Sequence, residues 1–143
     1  MKKTEKVLII IGLLLNQVHA QTILINEFLA SNIRNFPEMH DFNDYSDWIE
    51  LYNSSSNSID LNGWYLSDRE SNPVKWRFTS SYIIPANGVA VIFCSSRDEI
   101  IGNNAHTNFK LTQTKNNEKI ILSDPTGTIV DSVDLVPNLT SHS

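Results

Sequence analysis

The apolar positions fall into short runs separated by Asn, Asp, Gly, Pro and Ser. No stretch of eleven or more residues keeps the i, i+3, i+4, i+7 spacing of an amphipathic helix with caps at both ends. Strand-like runs appear instead. Thr22 to Leu29 is the first, with Ile23 and Ile25 on one face and Leu24 and Phe28 on the other. In Asp47 to Asn53, Ile49 and Leu51 alternate with Trp48, Glu50 and Tyr52. Leu61 to Ser67 and Lys75 to Phe78 follow, and Pro85-Ala86-Asn87-Gly88 leads into Val89 to Cys94. Asn108 to Leu111 reads as a short strand, followed by Lys119 to Ser123. Asp124-Pro125-Thr126-Gly127 reads as a tight hairpin turn opening Thr128 to Leu135. Eight short strands with close turn signals predict an all-β sandwich or barrel. The run Val89 to Phe93, apolar on both faces, is expected at the centre of a sheet. Asn32 to Ser46, Ser54 to Ser58 and Arg97 to Thr107 are read as loops, the last with room for a short helix.

The first twenty residues follow a different pattern. Lys2, Lys3 and Lys6 precede the apolar run Val7 to Leu15, and Val18 and Ala20 are small residues placed before a cut. This is the layout of a secretory signal peptide cleaved after Ala20, leaving Gln21 as the new N-terminus. Nine apolar residues reach only about 14 Å as a helix, half of a hydrocarbon core, so no membrane span is expected after cleavage. No Cys stands at the cut to carry a lipid. The expected organisation is 1–20 signal peptide, 21–136 one domain and 137–143 a C-terminal tail.

Charge narrows the partners. The chain has 143 residues, 11 Lys+Arg and 16 Asp+Glu, for a net charge of -5. Removing residues 1–20 takes three Lys and one Glu, leaving 8 against 15 and a net charge of -7. An acidic balance argues against nucleic acid and anionic membranes. The single Cys rules out an intramolecular disulfide. Cys94 lies in an apolar run and reads as a buried, inert thiol.

Candidate chemistry is thin. The acidic set is Glu27, Asp44, Asp47, Glu50, Asp60 and Asp68. Strand order could bring Glu27, Asp47 and Glu50 together, which makes them the candidates for a calcium site, the only cofactor entertained. The competing reading makes the acids caps, turn residues and partners of Arg34, Lys75 or Arg77. Asp41-x-Asn43-x-Tyr45 fails the EF-hand pattern. No Gly-x-Ser-x-Gly, His-Glu-x-x-His or phosphate-cradling glycine loop occurs. His40 and His106 are expected on the surface or in loops. Trp48, Trp64 and Trp76 suit a sandwich core or its rim. Gly63 is expected where a turn or bulge needs a residue without Cβ. Asn26, Asn32 and Asn53 are expected at strand ends, satisfying loose backbone groups. Asn53-Ser54-Ser55 and Asn138-Leu139-Thr140 fit the N-glycosylation pattern.

Three segments in order resemble the lamin-tail domain family: Ile25-Asn26-Glu27-Phe28-Leu29-Ala30-Ser31-Asn32, Asp47-Trp48-Ile49-Glu50-Leu51-Tyr52-Asn53 and Asp60-Leu61-Asn62-Gly63-Trp64-Tyr65-Leu66-Ser67-Asp68. Ala105 to Leu111 and Asp124 to Asp131 are similar to its second half. The family-motif positions are Asn26, Glu27, Asn32, Asp47, Trp48, Glu50, Leu51, Asn53, Leu61, Gly63, Trp64, Leu66 and Asp68. The resemblance implies an immunoglobulin-like β-sandwich without catalytic activity. With a signal peptide and no coiled-coil rod, the chain resembles the secreted bacterial branch. Lamin DNA binding does not carry over, because no basic patch matches it. The implied role is an interaction module for protein or glycan at the cell surface. The alternative is an N-terminal accessory domain of a larger secreted enzyme, such as a nuclease, phosphoesterase or spore-coat-H-type kinase. The family's closing Ser-x-Gly-Arg-like segment has no counterpart after Leu135, which implies an incomplete sheet edge.

Overall fold

The computed structural model describes residues 22–30, 46–112 and 118–135. Residues 1–20, expected to be a signal peptide, lie outside the described residues, as do Asn32, Arg34, His40, Asp41, Asn43, Asp44 and the expected tail 137–143. What is described is all β, in the arrangement of a sandwich. β1 is Ile23–Leu29, β2 Asp47–Asn53, β3 Ile59–Asp60, β4 Tyr65–Ser67, β5 Trp76–Arg77 and β6 Ile83–Ile84. β7 is Val89–Cys94, β8 Glu99–Ile101, β9 Asn104–His106, β10 Lys119–Ser123 and β11 Ile129–Asp134. One sheet has five strands in the order β1-β2-β7-β9-β8, the other four in the order β11-β10-β4-β5. β3 and β6 pair separately.

The core forms between the sheets. Ile23, Ile49, Leu51, Ile92 and Ala105 from the first meet Leu66, Trp76, Ile120 and Leu122 from the second, all buried. Trp76 meets Phe78 edge-on with ring centroids 4.7 Å apart, and Phe78 leans on Tyr82. Both T-shaped and tilted rings avoid stacking like-charged faces. Trp64 is half-buried against this core, so the tryptophans divide between core and rim.

β1 departs from simple alternation. The register runs Ile25↔Leu51 and then Glu27↔Glu50, with a bulge that leaves Asn26 without an opposite residue. One extra residue reverses the phase of the strand. Phe28 therefore pairs with Ile49 and packs on the core, on the same side as Ile23 and Ile25. The expectation that Phe28 shares a face with Leu24 is corrected for this reason.

Other differences have local causes. Arg97 to Thr107 holds no helix but the hairpin β8–β9, turned by Gly102 at φ 59°. Asn108 to Leu111 keeps the alternation of a strand, with Phe109 and Leu111 buried and Lys110 exposed, yet among the described residues no strand pairs with it. The Thr107 hydroxyl donates to the Phe109 carbonyl at 2.8 Å and accepts from its N–H at 3.4 Å, fixing that extended backbone. Leu61 to Trp64 is a turn rather than part of a strand, closed by the Trp64 N–H on the Leu61 carbonyl at 2.9 Å. Gly63 has φ +88° there, which an L side chain adopts only with strain.

Polar side chains end the strands. Asn53 is fully buried. Its amide nitrogen donates to the carbonyls of Asn57 at 2.8 Å and of Ile84 and Pro85 at 3.1 Å. Its amide oxygen accepts from the N–H and hydroxyl of Ser55. The polar connector 54–58 is thereby tied to β6. The same bonds leave no open amide for glycosylation of Asn53 in the folded chain. Asp60 accepts from the N–H groups of Asn62 and Tyr82 and from the Ser81 hydroxyl. Asp124 accepts from Thr126 and Thr128 within the hairpin turn to β11.

Two predictions follow from these caps. Asn53→Ala strands buried carbonyls and the Ser55 N–H, and should lower stability in urea unfolding by about 2–4 kcal/mol. An unchanged midpoint would deny the network its role. The Asp60 carboxyl is held below its ordinary 3.8 chiefly by the N–H groups of Asn62 and Tyr82. Its stabilisation is present above the unfolded value and is lost as pH falls through the lower folded one. Asp60→Asn should therefore flatten the acid side of the melting temperature against pH, while leaving the slope above pH 5 alone.

Candidate functional site

The outward surface of the five-stranded sheet follows from the register. Leu24, Tyr52 and Val89 form one row across β1, β2 and β7. Glu27, Glu50 and Val91 form the next. Leu29, Trp48, Phe93 and His106 form the third, which reaches β9. Val89 is 52% exposed, Glu27 is exposed, and Leu24, Glu50, Tyr52 and Val91 are half-buried. In the third row Phe93 and His106 are buried and stack at 5.3 Å.

The bulge governs the middle row. An unbroken alternation from Ile23 and Ile25 would turn Glu27 into the core; the extra residue Asn26 turns it outward, opposite Glu50. The Asn26 amide donates to Glu50 Oε1 at 2.7 Å. On the other side of the bulge the Ile25 N–H donates to Asp131 Oδ2 at 2.8 Å. That bond also joins the edge of the first sheet to β11, the edge of the second. Asn26 thus serves a bulge in mid-strand and not a strand end, whereas Asn53 does end its strand.

The calcium candidates separate. Asp47 and Glu50 are three positions apart on β2 and face opposite sides. Asp47 lies level with the buried Cys94, while Glu50 faces outward with Glu27. Among the described residues no group of three or more His, Cys, Asp or Glu stands together to hold a metal ion.

Potentially reactive groups are tied into the fold. Cys94 is buried, and burial pushes its thiol well above the usual thiol range. His106 is not a surface residue as expected. It lies on β9 with no exposure, and its Nδ1 meets the Ser95 hydroxyl at 3.0 Å. The reason is the parallel pairing of β9 with β7, a strand that the polar look of Asn104-Ala105-His106 conceals. A Ser–His contact whose ring has no exposure gives a substrate no access.

Asp68 takes the Lys75 ammonium at 2.8 Å, one of the expected acid–base pairs. Lys75 also lies over the Phe109 ring at 5.3 Å. The Trp76 indole N–H donates to Asp98 Oδ1 at 2.9 Å, and the Tyr82 hydroxyl donates to the Asn103 carbonyl. Burial raises the Tyr82 hydroxyl to about 12. Sequence reading missed Asp98, Asp131 and Tyr82, because each acts on a residue distant in the chain.

A thiol so placed should not react. Native protein mixed with an aromatic disulfide reagent should release no thiolate chromophore at pH 8, and one equivalent after unfolding in guanidinium. Rapid native labelling would contradict the buried position.

Comparison with known proteins returns one family and no curated relative. No curated protein matches the chain. The family described as Lamin Tail Domain matches residues 17–137. That span contains both sheets, the bulge at Asn26, the Gly63 turn and the hairpin at Asp124. The chain belongs to the lamin tail domain family, whose immunoglobulin-like sandwich this fold is.

Proposed function

We propose that the chain is exported by way of residues 1–20 and works outside the cell, or on its surface, as a non-catalytic interaction module of the secreted bacterial type. The observation that carries this reading is how the reactive groups are used. Cys94 is sealed in the core, His106 has no exposure, and Asp68, Lys75 and Asp98 are engaged with one another or with Trp76 and Phe109. What the fold leaves available is a sheet surface, and family membership supports the same role.

Protein is favoured over glycan as the partner. Trp48 and Tyr52 share a face of β2 but stand four residues apart, about 13 Å along a strand. Glu50 lies between them, so the two rings make no continuous platform for a sugar. An acidic surface is a poor match for nucleic acid.

The test is export and inertness together. Expressed from its full coding sequence in a bacterial host, the protein should appear outside the cytoplasm with Gln21 as its first residue by mass spectrometry. The purified product should turn over no ester, phosphoester, glycoside or peptide substrate. Its melting temperature should be the same with calcium and with chelator. Retention of residues 1–20 in the cytoplasm, or any turnover, would overturn the reading.

A further inference from the structure

We propose that the outer face of β1, β2 and β7 docks a basic, extended protein segment carrying a Lys or Arg two residues from an aliphatic side chain. This deepens the module reading and rests on it.

Three features of the face define the occupant. The first is charge. Glu27 and Glu50 are direct cross-strand partners, and like charges so placed repel. Neither carboxylate makes an ion pair among the described residues, and the Asn26 amide is the neutral donor beside them. A cation between the two relieves the repulsion. The second is apolar area. Leu24, Tyr52 and Val89 form the adjoining row, and Val91 flanks the glutamates on β7. Val89, at 52% exposure, is more open than a sheet side chain packed against a partner. The third is spacing. Successive same-side residues on a strand are about 7 Å apart, so the carboxylate row and the apolar row match positions i and i+2 of an extended partner. Stacked strands keep nearly aligned directions, which allows that match.

A second copy of this chain is the wrong occupant. Two such faces would set glutamates against glutamates, on chains that each carry a net charge of -7 once residues 1–20 are removed. The placement of Glu27 is itself built, since only the bulge at Asn26 turns it out of the core.

The test uses a labelled nonapeptide, Lys-Ser-Leu-Ser-Lys-Ser-Leu-Ser-Lys, read by fluorescence anisotropy with the purified protein. Binding should weaken by about tenfold or more in the double variant Glu27→Gln/Glu50→Gln, and severalfold in Val89→Ser. A control removing two carboxylates elsewhere, Glu70→Gln/Asp134→Asn, should stay within about twofold. A peptide with Ser in place of Leu should bind more weakly at equal charge. Equal losses in both double variants, equal binding of the Leu-free peptide, or no binding would overturn the proposal. Glu27→Gln/Glu50→Gln should melt no lower than the parent, because it removes a like-charge contact; single Glu27→Gln repeats the measurement if the double variant does not fold. An inert, exported protein that ignores the peptide sinks this face alone, whereas catalytic turnover sinks the module reading whatever the peptide does.

Discussion

The single unpaired residue Asn26 sets which side chains of β1 enter the core and which meet solvent. Before it, Ile23 and Ile25 face inward; after it, Phe28 does, and Glu27 and Leu29 turn out. A period-two strand offers no other way to bury both Ile25 and Phe28, which are three positions apart. Beside the bulge, at the edge of the first sheet, the Ile25 N–H donates to Asp131 of the opposite sheet. One local irregularity therefore fixes both the core contribution of β1 and the outward position of Glu27.

Elsewhere the sandwich is held by the same kind of division between apolar burial and polar endings. The strands are short, and backbone groups beyond their ends need partners. Asn53, Asp60, Ser67 and Asp124 supply them: Ser67 and Asp124 serve groups within a few residues, while Asn53 and Asp60 also reach Ile84, Pro85 and Tyr82, distant in the chain. Ser67 donates to the carbonyls of Asn72 and Arg69 and accepts from the Arg69 N–H, folding the loop before β5. Longer-range polar contacts, such as Trp76 to Asp98, then tie that end of the second sheet to the approach to β8.

Local pattern made part of this legible. β2, β7 and β10 lie at the bounds their apolar runs indicate, because each buries a continuous or alternating face over five or more residues. The turn at Asp124 and the glycine at position 63 were equally readable, since turn chemistry is local. What escaped depends on pairing between distant segments. β3 and β6 are two residues each and exist because Ile59 meets Ile84. β9 is polar in sequence and is a strand because β7 lies beside it. Phe109 and Leu111 carry the strand pattern without a neighbour to pair with among the described residues. The candidate surface was half legible: Glu27 and Glu50 stood out as acids, but their meeting, and the exclusion of Asp47 from it, needed the bulge.

The bulge is open to a direct check by backbone NMR. Cross-strand nuclear Overhauser contacts between β1 and β2 should join Ile25 with Leu51, Glu27 with Glu50 and Phe28 with Ile49, with no cross-strand partner for Asn26. Contacts that pair Asn26 with Glu50 and Glu27 with Ile49 would describe an unbroken strand, and would contradict both the packing of Phe28 and the outward carboxylate pair.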